Sequence, residues 1–345
     1  MKLSEFDYQL PASLIAQKPV YPRDQSKLLD INESKYTDRI FSELPDLLTE
    51  KDLIIINDTK VIPTRLIGKR NTTSINMTLH KKINHTSWFC FIKPAKKIKI
   101  GDTLSFKDLS AKVDGKFENG EIKVSFNCNN YELLKKLKNI GQMPLPPYIK
   151  RKNEENLSDL KDYQSIFSKN IGAIAAPTAS LHFTKELTRK LRLKKIQINS
   201  ITLHVGAGTF LPVKENNILN HKMHEEWGCV SQSVVDNIKN CKKIGGRVIC
   251  VGTTTLRILE SSIQKNSGVL KKFSGYTDIF ITPGYKFTIP DILLTNFHLP
   301  KSTLLMLVYA FSGVEEVKEA YNHAIIKNYR FYSYGDCCML RRKNG

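Results

Sequence analysis

Leu53-Ile54-Ile55-Ile56-Asn57-Asp58-Thr59-Lys60 is the stretch on which the reading of this chain turns. Four consecutive apolar residues suit a strand covered on both faces, because a strand with one wet face would alternate. The run stops at Asn57-Asp58-Thr59-Lys60, so polar groups gather at the strand's carboxyl end. The chain beyond residue 172 has α/β texture: strands expected at 196–205 and 247–251 alternate with helices expected at 234–243 and 256–264.

Between these two parts the pattern changes. From 68 to 127 there are short β segments at 75–80, 87–92, 103–106 and 121–126. Pro94, Gly101-Asp102, Asp114-Gly115 and Asn119-Gly120 separate them and supply turn geometry. A basic amphipathic helix is expected over 131–140, and Met143-Pro144-Leu145-Pro146-Pro147-Tyr148 forms a stiff connector out of the segment. The expected fold is therefore multidomain α/β (α+β). A larger mixed α/β domain, 1–67 and 141–345, is interrupted by a small β-barrel-like insert at 68–140.

The 345 residues suffice for two cores, and 41% hydrophobic with 25% charged residues is globular composition. A formal net charge of +20 favours a polyanionic partner, since each phosphate contact releases condensed counterions. A Lys-, Ile- and Asn-rich composition accounts for part of that charge. The 7 cysteines include no C-x-x-C pair, which argues against a disulfide framework or a zinc knuckle. The apolar run at 304–311 is far short of the ~20 residues of a bilayer span. Met1-Lys2-Leu3-Ser4-Glu5-Phe6-Asp7 lacks the apolar core of a signal peptide, so a cytoplasmic protein is expected.

Several segments can carry chemistry. Gly252-Thr253-Thr254-Thr255 joins an expected strand to an expected helix, which places free N–H groups and hydroxyls around an anion; a plain threonine cap reads equally well. Thr202 to Pro212 holds His204, Gly206, Gly208 and Thr209 but lacks the third glycine of a dinucleotide loop. His221-Lys222-Met223-His224-Glu225-Glu226 packs two imidazoles and two carboxylates together, enough for acid–base work; without H-E-x-x-H spacing or an assisting Cys, no metal is expected. Asn296-Phe297-His298-Leu299-Pro300-Lys301 precedes a helix that Ser302 or Thr303 can cap. Tyr329-Arg330-Phe331-Tyr332-Ser333-Tyr334 interleaves aromatics with Arg, suited to stacking on bases or simply to packing.

Taken in order, these words and others resemble one family. Phe6-Asp7-Tyr8-Gln9-Leu10-Pro11, Asn57 to Pro63, Met143 to Ile149, Ala175-Ala176-Pro177-Thr178-Ala179, Leu181-His182-Phe183-Thr184 and Val251-Gly252-Thr253-Thr254 carry the likeness. So do Tyr276-Thr277-Asp278-Ile279-Phe280-Ile281, the 294–308 block and the 329–336 block. The whole is similar to the S-adenosylmethionine:tRNA ribosyltransferase-isomerase family of the queuosine pathway. The chain departs from the pattern at Ser180, where glycine is usual, at Tyr276, where tryptophan is usual, and at Lys27, where arginine is usual.

The resemblance implies transfer and isomerisation of the ribosyl part of S-adenosylmethionine onto 7-aminomethyl-7-deazaguanine at the tRNA wobble position. Epoxyqueuosine, adenine and methionine would result, with S-adenosylmethionine a consumed co-substrate and no resident cofactor. Base and acid roles are expected of His204, His224 and Glu226. Substrate contacts are expected of Asp58, His182, Thr209, Thr253, Thr254, Arg257, Asn296, His298 and Lys301, with Arg257 holding the methionine carboxylate. Lys96, Lys97, Arg151, Tyr329, Arg330 and Tyr334 are expected to meet tRNA, and a monomer is expected. A methyltransferase acting on tRNA, or an RNA-binding module without catalysis, are the alternatives.

Overall fold

The structure is a computed structural model, described for residues 1–32, 35–118, 120–151, 158–206, 208, 213 and 215–343. In chain order the first strands are β1 (Lys27–Asn32), β2 (Lys35–Ile40), β3 (Leu53–Asn57) and β4 (Thr59–Val61). The insert follows with β5 (Arg65–Arg70), β6 (Thr73–Lys82), β7 (Ser87–Lys93), β8 (Thr103–Phe106), β9 (Leu109–Lys116), β10 (Ile122–Phe126) and helix α1 (Asn130–Ile140). The chain then returns through α2 (Ser158–Asp162), β11 (Asn170–Ala173), α3 (Lys185–Leu193), β12 (Gln197–Leu203), β13 (Glu226–Val230), α4 (Gln232–Lys243) and β14 (Val248–Val251). It ends with α5 (Thr253–Gln264), β15 (Phe273–Thr277), β16 (Ile292–Asn296), α6 (Thr303–Ser312), α7 (Val314–Ile326) and β17 (Cys337–Arg341).

Among the described residues, nine strands form one sheet in the order β15-β13-β12-β3-β14-β16-β17-β1-β2. Its centre, β12-β3-β14-β16, is parallel. The Leu53–Ile56 run sits there and serves two cores. Leu53 and Ile55 pack with residues of α4, α5, α6 and α7. Ile54 and Ile56 pack with Phe41, Phe183, Leu187 and Leu191 on the other face. An unbroken apolar run follows from that position, since each side chain of the strand meets a dry layer.

Strands β10-β7-β6-β5-β8-β9 close into a barrel, joined to the main domain through Ile62 and Ile174, which share its core with Leu133 and Leu137 of α1. The barrel begins at Arg65, earlier than the Gly68 read as its start. Gly68 lies inside β5, where any Cβ would overlap Phe106. Its lack of a side chain reflects close packing against the neighbouring strand β8 and marks no boundary. Asp114-Gly115, expected as a turn, is part of β9. There the register against β10 shifts by one between Lys123 and Val124, so the pair marks a β-bulge. Residues 329–336 form a loop with Tyr332 at φ 71°, and the terminal strand is Cys337–Arg341.

Candidate active site

Because β3, β12, β14 and β16 run parallel, Asn57, Leu203, Val251 and Asn296 end on one edge of the sheet. In open α/β sheets the crevice beyond such strand ends is where ligands bind. Here it is a cleft of about 580 Å³, with Thr178, Gly252, Thr253, Thr254, Asn296 and His298 on its walls. Gly252 has φ 88°, a conformation that side chains disfavour, and it turns β14 directly into α5. No side chain caps α5, so its first N–H groups remain available at the cleft. Asn57 stitches the floor together. Its side-chain amide donates to Leu203 O at 2.9 Å, and its oxygen accepts from the N–H groups of Thr59 and Leu203.

A second recess shares Leu304 with the cleft and is lined by His221, His224, Glu226 and Arg257. Arg257 projects from the first turns of α5 and is buried, its Nη1 donating to Glu226 Oε2 at 2.5 Å. Glu226 also accepts from Gly206 N–H at 2.8 Å. Thus Glu226 is an anchor for the guanidinium and is poorly placed to act as a free base. The Nε and Nη2 groups of Arg257 are buried without a hydrogen-bond partner among the described residues. Unpaired charged donors in a dry site are costly, and a carboxylate is the group whose geometry they match. His221, beside them, is held below the ordinary imidazole range first by burial and then by the neighbouring His224.

Behind the cleft, His182 Nδ1 lies 2.7 Å from Ser26 Oγ, while Asn296 Nδ2 lies 3.2 Å from His182 Nε2 and donates to Tyr332 O. Burial pushes His182 down to about 3, so it remains neutral and positions Asn296. The Oδ1 of Asn296 is left as a buried acceptor without a partner among the described residues, and Asn296 lines the cleft. His298, also lowered to about 3 by burial, has Nε2 2.9 Å from Thr295 Oγ1. Both imidazoles are therefore uncharged at neutral pH, each with a single ring N–H, and serve as structural supports. Ser180 does not have positive φ, which is why a side chain is tolerated where glycine is usual.

Asp58 and His204 are placed elsewhere. Asp58 accepts from Thr202 Oγ1 at 2.7 Å and Asn170 Nδ2 at 3.0 Å. His204 Nδ1 lies 2.8 Å from Thr59 Oγ1, and its ring stacks on Trp227 with centroids 5.2 Å apart. Neither residue lines the cleft or the Arg257 recess. Burial lowers the His204 pKa, with Asp58 pulling the other way. A Cβ on Gly172 would stand 2.5 Å from His204 Nε2. Gly172→Ala should therefore unseat the ring and destabilise the fold by about 1–3 kcal/mol, the usual cost of overpacking. Urea melts followed by tryptophan emission, with Trp88→Phe as background so that Trp227 alone reports, would read this; unchanged emission and midpoint would contradict it.

Lys301 is paired with Asp7 at 2.8 Å, half-exposed, outside the cleft. Thr209 lies outside the described residues. Of the side chains expected to meet tRNA, Tyr329 and Tyr334 are buried, as is Phe331 beside them, so the packing alternative holds for those rings. Arg330 donates to Asp336 and to Lys18 O, and Arg151 forms a two-point pair with Asp159. Lys96 and Lys97 are exposed on the barrel. A larger groove of about 1400 Å³ opens at the opposite edge of the sheet, but its Arg247, Arg341, Arg342 and Lys343 are matched by Asp52, Asp30, Asp291 and Glu316. Among the described residues no cluster of His, Cys, Asp or Glu could hold a metal, and no helix is long and apolar enough to cross a membrane.

Sequence reading did not single out Asn57, Ser26 or Trp227. Asn57 was visible as the polar stop of an apolar strand; the other two act through partners far away in the chain.

Known proteins resemble the whole of this architecture. The chain is 48% identical over 353 residues to the S-adenosylmethionine:tRNA ribosyltransferase-isomerase of Methylocella silvestris, covering 99% of this chain and 98% of that one. It is 46% identical to the protein of the same name from Bradyrhizobium diazoefficiens, covering 100% and 98%. A crystal structure of S-adenosylmethionine tRNA ribosyltransferase from Thermotoga maritima aligns with a TM-score of 0.56 at 34% identity, over 97% of this chain and 99% of that one. The pattern of the family described as "Queuosine biosynthesis protein" matches residues 3–340, which takes in the barrel, the strand-end cleft and the Arg257 recess alike, and the chain belongs to that family.

Proposed function

We propose that the protein transfers and isomerises the ribosyl moiety of S-adenosylmethionine onto 7-aminomethyl-7-deazaguanine at the wobble position of tRNA, releasing adenine and methionine. The observation that carries the reading is Arg257. Its two buried donors, without a partner among the described residues, suit the carboxylate of a methionine moiety, in a recess that shares Leu304 with a cleft offering N–H groups and hydroxyls. Thr253, Thr254 and the start of α5 would meet ribose oxygens, and Asn296 Oδ1 would accept from a ribose hydroxyl or an adenine amine.

The reaction needs a base at C5′, where the adjacent sulfonium acidifies the proton, and an acid for departing adenine. His224 is exposed and shares the recess with Arg257, which makes it the better-placed of the expected acid–base groups. Glu226 serves by holding Arg257. S-adenosylmethionine is consumed, so no resident cofactor is required.

Chromatography of a reaction with S-adenosylmethionine and precursor tRNA tests the reading. Free adenine and methionine are expected; S-adenosylhomocysteine would mean a methyltransferase, and no turnover would leave an RNA-binding module. Lys96 and Lys97 would hold tRNA phosphates. Lys96→Ala/Lys97→Ala should then flatten the dependence of tRNA affinity on salt, by a slope of about one per lost contact. A slope equal to the wild type's would return both lysines to solvent.

A further inference from the structure

The rings buried at 329–334 leave the RNA without a stacking surface there, while another surface presents one. In the antiparallel pairs at the edge of the sheet, Trp227 lies directly opposite Tyr276, and His204 N–H donates to Trp227 O. The three side chains therefore stand in one row across β12, β13 and β15. The intervening Gly228 faces Ile258 of α5, so the row lies on the face turned away from that helix. Among the described residues no helix covers its outer end: Tyr276 is 61% exposed, and Trp227 is partly exposed.

We infer that the His204–Trp227–Tyr276 row is a stacking platform for an unpaired base of the RNA substrate. The inference rests on the tRNA reading above. Three observations favour this occupant. The rings are graded from a fixed, stacked inner pair to a free outer phenol, as a platform that receives a flat ligand requires. The row adjoins the catalytic edge, because Val205, next to His204, lines the cleft, and Glu226, next to Trp227, lines the Arg257 recess. Cations lie on the neighbouring segments as well. Lys60 and Lys169 on the segments beside Thr59 and Asn170, and Lys271 and Lys272 before β15, are exposed and have no ion pair among the described residues. The carboxylates of Glu225 and Asp278 lie two residues from Trp227 and Tyr276, and Asp58 acts on His204, so the four lysines on these segments outnumber the three carboxylates by one. Aromatic faces set among lysines are the usual means of holding single-stranded RNA.

Tyr276 is exposed, so its replacement leaves the core intact. Fluorescence titrations would compare an anticodon stem-loop RNA with a blunt duplex of the same stem, for wild type, Tyr276→Ala and Tyr276→Trp. Tyr276→Ala should weaken stem-loop binding by about five- to a hundredfold, the range for loss of one stacked base. Duplex and S-adenosylmethionine affinities should stay unchanged, and Tyr276→Trp should bind the stem-loop at least as well as wild type. Equal stem-loop binding by Tyr276→Ala, an equal loss toward the duplex, or a change only in oligomeric state on sizing would each overturn the platform. If wild type turns over precursor tRNA while Tyr276→Ala binds normally, the platform alone fails; if wild type shows no turnover, the functional reading fails with it.

Discussion

Replacing Arg257 with alanine is expected to lower the affinity for S-adenosylmethionine by on the order of a hundredfold or more, because two charge-assisted hydrogen bonds are lost at about 1.5–3 kcal/mol each. The same change leaves Glu226 buried without its main counter-charge, and removing one partner of a buried pair costs about 3–5 kcal/mol of stability. Binding loss and unfolding must be separated. In the double variant Arg257→Gln/Glu226→Gln no charge is stranded, so thermal stability should recover much of the loss while binding does not. Calorimetric titration of S-adenosylmethionine into a folded double variant is decisive. Wild-type affinity there, or an Arg257→Ala protein that loses tRNA and keeps S-adenosylmethionine, would remove the carboxylate role.

A steep acid transition is the second expected result. His182 and His298 fold at about 3, against about 6.5 for an unfolded histidine, because burial disfavours the cation. Between those values the unfolded chain binds protons that the native protein refuses. Stability is therefore fully present above about pH 6.5 and is lost as pH falls toward 3. From pH 6 to pH 4 the two residues remove about 5 kcal/mol by linkage. His80 in the barrel, lowered to about 4 chiefly by burial, acts in the same sense. Glu260 and Asp336, raised by burial, act oppositely and temper the fall. Urea denaturation from pH 7.5 to 4.5 should show this slope, and His182→Asn/His298→Asn should flatten it. A wild-type profile without slope would mean that these imidazoles are not kept neutral by burial.

These two expectations differ in how far the sequence foresaw them. Arg257 was placed in the site by resemblance, on the helix that follows Gly252-Thr253-Thr254, with a carboxylate as its expected partner. Its anchor was not foreseen. Glu226 lies 31 positions earlier and was read as an acid–base group, since only the pairing of β13 across β12 brings it under α5. His182 and His298 were placed in the pocket by resemblance, yet their burial, which makes them neutral supports of Asn296 and of the cleft wall, is a property of the packed layers around them.

The sequence by itself determined the alternation of apolar strands and helices, the β insert, the positions of the strand-end polar words and the family. Local signals suffice for these, because an Ile run, a glycine turn or a capped helix start depends on residues a few positions apart. Tertiary structure alone decided which polar words share a site. The parallel order β12-β3-β14-β16 sets residues 57, 203, 251 and 296 along one edge, whereas the side-chain alternation of β12 turns Leu203 toward α5 and His204 to the opposite face. The aromatics at 329–334 went the same way. Their composition suited base stacking, but the loop packs them into the core, whereas Tyr276 on an edge strand is left exposed among the described residues.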